Sequence, residues 1–271
     1  FTFTRNKILE FDELPPKYDY QAITGKRVSD KDNLYYIAER LYTEDDFTVS
    51  TNANSLKTYK LRSEIPQPTL SGLLGPGDIK YTDVNGDGII DSYDRVRGIG
   101  HPETPEIIYG FGLNAEYKGI YASIFFQGAG NTSVLLGGKT SEGWYPFSWG
   151  VDQSNYRTFA LNRWTENNPS QDVIIPRLHK NNANNANNRV ASTWWLRDGS
   201  FLRLKNIEIG YQIPKKFLSK IGFEAARIYL MGYNLAVWDH IKYFDPEAGN
   251  ANAGLNYPLP RTYTIGLDFT F

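Results

Sequence analysis

The chain has 271 residues, a formal net charge of −1 and no cysteine, which excludes disulfide staples and thiolate metal sites. A charge this close to zero gives no basis for binding nucleic acid through its phosphates. Mean hydropathy is −0.47, and no run approaches the roughly 20 apolar residues of a membrane-spanning helix. A transmembrane barrel stays compatible, because its strands need only about ten residues of alternating polarity.

The first predicted strand covers about residues 1–10. It begins with alternating aromatic and polar residues, Phe1-Thr2-Phe3-Thr4. Because the chain opens inside a strand pattern, we expect the native polypeptide to extend upstream of Phe1. The whole composition favours strands and turns, since 19 Tyr, 15 Phe and 24 Gly accompany a single Met.

A β-hairpin is predicted over residues 107–128. Apolar residues alternate with polar residues or glycine through 107–117, which is the two-residue period of a strand. Lys118-Gly119 forms a tight turn, and the alternation resumes from 120 to 128. One face of this hairpin is therefore apolar along both strands.

Three further strands are predicted in the second half of the chain. The strand at 196–213 changes parity before Asn206, which indicates a bulge. A short helical turn at 215–222 separates it from a strand at 223–235, and the last strand covers 261–271. Together with the opening strand and the hairpin, this makes about six strands.

The links between these strands alternate strictly between short and long. Lys118-Gly119 and Pro214–Gly222 are short, whereas the links at 11–106, 129–195 and 236–260 are long. Outer-membrane barrels show this alternation because periplasmic turns are short and extracellular loops are long. The predicted fold class is therefore all-β, an antiparallel segment of a transmembrane barrel with extracellular loops and a periplasmic C-terminus. A soluble, secreted, calcium-stabilised β-sheet module that binds glycans is the alternative.

An acidic loop at 83–94 has the spacing of a calcium-binding loop. Oxygen-bearing side chains occur at loop positions 1, 3, 5, 9 and 12, a glycine occupies position 6, and position 7 offers a backbone carbonyl. The predicted Ca²⁺ ligands are Asp83, Asn85, Asp87, Ile89, Asp91 and Asp94. The alternative is a turn rich in Asp, Asn and Gly that holds no metal. The flanks do not predict paired helices, so the expected role is structural.

An aromatic cluster lies inside the long link at 129–195. Its members are Trp144, Tyr145, Phe147 and Trp149. Such side chains can stack on sugar rings or on the side chains of a bound peptide. Equally, they can form a small core within the loop or contact a partner that covers it.

Trp194, Trp195 and Tyr211 allow two interpretations. They suit an aromatic girdle at a membrane interface, and they equally suit ordinary core packing. The sequence does not separate these possibilities.

No motif indicates catalysis. The chain lacks a nucleophile elbow, a zinc-protease motif and a phosphate-binding loop. Its three histidines, at positions 101, 179 and 240, are scattered through predicted loops. The sequence therefore predicts that this protein is not an enzyme.

Short motifs distributed over nearly the whole chain resemble one family. They are Thr4–Glu10, Gly77–Asp83, Tyr109-Gly110-Phe111, Phe125–Gly128, Arg163-Trp164, Asn168-Pro169, Pro176-Arg177, Leu202–Asn206, Tyr233-Asn234-Leu235, Asp245-Pro246-Glu247 and Tyr257–Phe271. In this order they resemble the C-terminal barrel region of SusC/RagA-type TonB-dependent transporters of the bacterial outer membrane.

This resemblance implies a plugged barrel of about 22 strands, of which residues 1–271 would supply about six. It implies uptake of oligosaccharides or peptides, energised by TonB through an N-terminal plug domain that this chain lacks. It also implies a SusD-like lipoprotein at the outer mouth of the barrel.

Overall fold

The computed structural model describes residues 1–53, 56–70, 72–136, 158–179, 186–219, 222–248, 257 and 259–271. Its strands are β1 (Thr2–Phe3), β2 (Leu34–Tyr35), β3 (Ala38–Leu41), β4 (Phe47–Thr51), β5 (Lys57–Leu61), β6 (Gln67–Pro68), β7 (Ile79–Tyr81), β8 (Ile89–Ile90), β9 (Val96–Arg97), β10 (Ile107–Tyr117), β11 (Ile120–Gly130), β12 (Ser133–Leu135), β13 (Leu196–Asp198), β14 (Phe201–Gln212), β15 (Ala225–Asp239) and β16 (Thr262–Thr270). The α-helices are α1 (Ala186–Arg189) and α2 (Lys215–Leu218), and 3₁₀ turns occur at Asp19–Gln21, Val28–Asp30, Glu44–Asp46, Ser92–Asp94, Thr158–Leu161 and Pro246–Ala248.

Within these described ranges, no helix is long and apolar enough to cross a membrane.

One large sheet has six strands in the order β1-β10-β11-β14-β15-β16, and every neighbouring pair is antiparallel. The predicted hairpin is confirmed. Tyr117 pairs with Ile120 across a two-residue turn. Both turn residues have positive φ, 50° at Lys118 and 84° at Gly119, as a type I′ hairpin turn requires.

The predicted irregularity before Asn206 is also confirmed. The register of β14 shifts between Leu204 and Asn206 against both of its neighbours. Lys205 is the extra residue on this strand, and on β15 the opposing Asn234 has a φ of 52°. A bulge of this kind restores parity, so the apolar residues before and after it lie on the same face.

Three predicted boundaries are wrong. The opening strand covers only Thr2–Phe3 rather than 1–10. The predicted strand at 196–213 is two strands, because the chain bends at Gly199-Ser200 and β13 pairs with β12 in a separate sheet. The strand predicted at 223–235 continues to Asp239. At all three places tertiary pairing partners, rather than local alternation, set where the strand ends.

The long links fold together at one end of the sheet. We call their described residues within 4–106, 131–136, 158–179, 186–200 and 240–248 the loop body. It contains the buried core: Tyr35, Tyr36, Leu41, Ile79, Tyr81, Ile90, Leu135, Leu136, Trp164, Ile174, Ile175 and Trp195 pack together. These residues come from stretches far apart in sequence, so the long links form one packed unit.

Ion pairs anchor the loop body to the sheet. Arg5 donates to Glu106, which directly precedes β10, at 2.7 and 2.9 Å. On β14 the buried Arg203 lies 2.8 Å from a carboxylate oxygen of Glu247 and donates a hydrogen bond to Asp245. The long links therefore fold back onto the strand ends from which they emerge.

Candidate functional site

The two faces of the six-stranded sheet differ in chemistry. Following the register across the strands places the following side chains on a single apolar face: Phe111, Leu113, Tyr117, Ile120, Ile124, Phe126, Leu204, Ile207, Ile209, Tyr211, Ile228, Leu230, Trp238, Tyr263, Ile265, Leu267 and Phe269. Leu113 is 73% exposed and Ile265 is 75% exposed. A monomeric soluble protein rarely exposes an apolar surface of this extent, whereas the lipid face of a barrel must.

Aromatic residues concentrate towards both ends of the apolar face. Near the loop body, Phe111 stacks on Phe126 at 5.0 Å between ring centroids, and Phe126 lies 6.5 Å from Trp238. Towards the short turns, Tyr117 and Tyr211 are exposed. Aliphatic side chains occupy the middle. Aromatic rings at the two edges of an aliphatic band are typical of a membrane-spanning wall.

This arrangement separates the two interpretations for Trp195 and Tyr211. Tyr211 is 39% exposed on the apolar face at the end with the short turns, where a girdle would lie. Trp195 is 1% exposed in the core of the loop body, and its indole N–H donates to the carbonyl of Asn188 at 2.9 Å. For Trp195, the girdle interpretation is wrong and core packing is correct.

The opposite face of the sheet is polar and carries an ion network over four strands. Arg227 pairs with Asp268 at 2.6 Å and lies 3.7 Å from Glu208. The hydroxyl of Tyr121 donates to Glu208 at 2.7 Å. Charged side chains on this face and none in the middle of the apolar face match a wall with lipid on one side and a polar lumen on the other.

Aromatic rings on the polar face lie over glycines of the neighbouring strand. Tyr121 is paired with Gly210, and Tyr229 is paired with Gly266. A Cβ atom at Gly266 would lie 2.1 Å from the Tyr229 ring, and one at Gly210 would lie 2.4 Å from the Tyr121 ring. Glycine is therefore required there, and the rings lie along the wall instead of projecting from it.

The centre of the loop body is organised by the carboxylate of Asp78, which is 1% exposed. Arg177 donates to it at 2.6 and 3.2 Å, the side-chain amide of Asn188 donates at 2.8 Å, and the backbone N–H of Gly75 donates at 2.9 Å. The imidazole of His179 lies 2.9 Å from the same carboxylate. These partners come from two of the long links, 11–106 and 129–195, and no local spacing in the sequence predicts the cluster.

The acidic loop lies on the surface of the loop body and is shaped by its own carboxylates. Asp83 accepts hydrogen bonds at 2.7 Å from the backbone N–H groups of both loop glycines. Asp94 is fully buried and accepts from the N–H groups of Val84 and Asp91 at 2.8 Å each. The side chain at position 1 therefore fixes the glycine turn, and the side chain at position 12 ties the end of the loop to its start.

The backbone carbonyl at position 7 of the acidic loop, that of Ile89, takes no part in the pairing of β8 with β6. The carbonyls of Gly88 and Ile90 accept from the backbone N–H groups of Gln67 and Thr69 at 2.9 Å each. Successive carbonyls in a strand point to opposite sides, so the carbonyl of Ile89 is directed away from β6.

The chemistry of the donors fits a hard cation. All six predicted ligands are oxygen donors, and four of them are aspartates. However, within the described ranges no three His, Cys, Asp or Glu side chains converge in an arrangement that would hold a metal. Calcium at this loop therefore stays a prediction.

The aromatic cluster of Trp144, Tyr145, Phe147 and Trp149 lies outside the described residues. Its role in contacting substrate or a partner also stays a prediction.

The sheet's lipid-type face, its polar face and its alternating links define a class of protein: a segment of a transmembrane β-barrel wall with a large loop body at one end. No family model matches the chain. It is 34% identical over 249 residues to TonB-dependent receptor P26 of Formosa agariphila, covering 86% of this chain and 23% of that receptor. It is 33% identical over 215 residues to receptor P3 of the same organism, covering 75% of this chain and 20% of that receptor.

Solved structures agree in fold. The RagAB peptide transporter matches with a TM-score of 0.56 and 27% identity over 74% of this chain and 22% of that chain. The RagAB peptide importer in its open-open state matches with a TM-score of 0.62 and 22% identity over 99% of this chain and 26% of that chain. This chain is thus a barrel segment of the SusC/RagA kind of TonB-dependent receptor. It spans about a quarter of the length of the relatives it matches.

Proposed function

We propose that this chain forms part of the wall and extracellular surface of an outer-membrane importer that takes up oligomeric nutrients. The observation that carries the proposal is the two-faced sheet, with an exposed apolar face and a polar face bearing the Arg227 network. Lipid contact explains the first face, and a polar lumen explains the second. A soluble glycan-binding module has no use for the apolar face.

The orientation follows from the links. The turn at Lys118-Gly119 and the link between β14 and β15 lie at the end of the sheet that also carries Phe271. We place this end in the periplasm and the loop body outside the cell, because outer-membrane barrels keep their short turns on the periplasmic side.

The partners we propose follow from the family. A plug domain encoded outside this chain would couple the barrel to TonB, and a SusD-like lipoprotein would cover the loop body. Cargo is a peptide or an oligosaccharide. Similarity to structures described as a peptide transporter supports the peptide. The aromatic residues Trp144, Tyr145, Phe147 and Trp149 would contact cargo or the lipoprotein. Relatives that are receptors and transporters support a role without catalysis.

Uptake by living cells tests this function. A strain lacking the full-length receptor should fail to import labelled peptides or labelled oligosaccharides, whichever is the cargo, and should regain import when the receptor is restored. A protonophore should abolish the regained import, because TonB draws on the proton gradient. Equal import with and without the receptor would refute the proposal.

We also propose that Ca²⁺ binds the acidic loop as a structural ligand. Calorimetry on the full-length receptor should show binding at about 10⁻⁴ to 10⁻³ M, the range of extracellular modules. Asp83→Asn combined with Asp87→Asn should remove the binding. Asp45→Asn, at an exposed position outside the loop, should leave it unchanged. Absence of binding at millimolar Ca²⁺ would rule the site out.

A further inference from the structure

The loop body contains an open cavity of about 520 Å³. It is lined by residues 32–36, Arg95, Leu135, Ala186 and residues 189–191. Its volume lies within the range of small-ligand sites. Its walls are largely apolar, and the only acidic residue in its described lining, Asp32, is exposed at the rim.

Arg95 differs from its neighbour Arg97 in how its guanidinium is satisfied. The guanidinium of Arg97 donates to the backbone carbonyls of Gln21 and Asp30 at 2.9 Å each. The Nε of Arg95 is buried without a hydrogen-bond partner, and Arg95 forms no ion pair within the described part of the chain. Arg95 as a whole is partly exposed, but its buried Nε–H donor has no acceptor, which costs free energy that a bound anion would recover.

The backbone of Arg95 is held in place. Its carbonyl accepts a hydrogen bond from the side-chain amide of Gln21 at 3.1 Å. It follows directly after the fully buried Asp94, which closes the acidic loop. On the other side of the cavity, Tyr36 is hydrogen-bonded to the carbonyl of Ala191 at 3.1 Å. The backbone at Arg95 and the backbone of the opposite wall are therefore both held by hydrogen bonds.

We infer that this cavity binds a carboxylate group of the imported ligand and that Arg95 is the residue that recognises it. The inference rests on the proposed import function. A guanidinium matches a carboxylate in planar, paired geometry, and the apolar walls suit the carbon atoms next to that group. Arg189 also lines the cavity. Acidic peptides and oligosaccharides of uronic acids both carry this chemistry.

Binding to the purified full-length receptor tests the inference. The probes are a glutamate-containing pentapeptide and its glutamine counterpart, and trigalacturonate and its methyl ester. At least one acidic probe should bind more tightly than its neutral counterpart. Arg95→Gln should weaken that acidic probe about ten- to a hundredfold, the loss expected for a charge-assisted hydrogen bond, and leave the neutral probe unchanged. Arg95→Lys should give an intermediate affinity, because lysine is a point charge without the fork.

Two further variants separate recognition from folding and from general charge. Lys60→Gln removes a positive charge from an exposed position of β5 and should not alter affinity for any probe. Asp32→Asn removes the acid at the rim and should raise affinity for the acidic probe about two- to fivefold. The preference of one acidic probe over the other identifies the source of the carboxylate.

The inference is overturned if acidic and neutral probes bind alike, if no probe binds, or if Arg95→Gln and the native receptor bind the acidic probe equally. The import function fails separately, through uptake that persists in a strain without the receptor. If the receptor imports neutral cargo and does not distinguish acidic from neutral probes, the import function stands and the carboxylate site is refuted.

Discussion

The six-stranded sheet and the loop body use the same apolar residue types in opposite ways. Leu113 and Ile265 in the sheet are 73% and 75% exposed, whereas Leu41 and Ile79 in the loop body are 0% exposed. The sheet has no core of its own, because lipid solvates one of its faces. The loop body lies in water and must bury its apolar side chains. The exposed fraction of an apolar side chain therefore depends on whether its region faces lipid or water, as well as on how tightly the region is packed.

The two regions also differ in how their polar groups are satisfied. In the loop body the buried carboxylate of Asp78 is satisfied by four neighbouring groups, because no water reaches it. In the sheet the Arg227 network lies on a partly exposed face, where water can replace any lost partner. Loss of a polar partner should thus cost more in the loop body than in the sheet.

The largest expected effect comes from removing Asp78. Asp78→Ala leaves Arg177 and Asn188 without their shared acceptor, and we expect it to destabilise the loop body by about 3–5 kcal/mol. Limited proteolysis of the full-length receptor should cleave the long links, while heat-modifiable mobility of the barrel stays unchanged. Asp45→Ala, at an exposed site, is the control. Loss of barrel assembly in Asp78→Ala would show that the sheet cannot assemble without a folded loop body.

A charge on the apolar face gives the next effect. Leu113→Lys should cost about 2–4 kcal/mol, because it places an ammonium group in the hydrocarbon of the membrane. Asn114→Lys is the matched control, since the neighbouring residue lies on the polar face. Assembly measured in outer-membrane fractions should fall for the first variant only. Equal assembly of both variants would show that the assignment of the faces is wrong.

A smaller effect is expected where a ring covers a glycine. Gly266→Ala should cost about 1–3 kcal/mol through overpacking against Tyr229. Combining it with Tyr229→Ala should recover most of the loss, because the collision is removed. Equilibrium unfolding of the receptor in detergent, analysed as a double-mutant cycle, measures the coupling. Additive effects would contradict close contact between these residues.

The smallest effect concerns pH and should be confined to the loop body. Burial raises the pKa of Asp46, but hydrogen bonds from Arg40 and from the backbone N–H of Thr43 outweigh it, so the pKa lies below its ordinary value. A lowered pKa in the folded state gives stability that is present at neutral pH and lost as pH falls through about 4 and below.

Arg40→Gln removes part of this contribution. We expect a loss of about 1 kcal/mol at neutral pH, reduced because Arg40 is partly exposed, and a shallower loss on acidification. Thermal unfolding of the loop body between pH 3 and pH 7 measures both. An unchanged pH profile in the variant would remove Arg40 as the cause.

Much of the sheet could be predicted from local pattern. The two-residue period located β10, β11, β14 and β16, and the parity change before Asn206 predicted the bulge. These features depend on neighbours in sequence, because a strand with one face in an apolar environment must alternate. The break at Gly199 was missed because it depends on β13 finding a partner in β12.

The candidate sites also differ in how far the sequence predicts them. The oxygen donors of the acidic loop are visible in the sequence because all of them fall within residues 83–94. The Asp78 cluster joins groups about a hundred residues apart, such as Asp78 and Arg177, and Arg95 shares its cavity with Ala186 and residues 189–191. Only packing brings such groups together.

The sequence by itself determined the strand period, the tight hairpin turn, the bulge and the alternation of short and long links, because each depends on residues close together in the chain. The tertiary structure decided that the long links form one buried core, that Trp195 belongs to it, and that Arg95 faces a cavity without an ion-pair partner in the described chain. The physical reason is that burial and charge compensation depend on which distant segments meet, and local pattern carries no information about that.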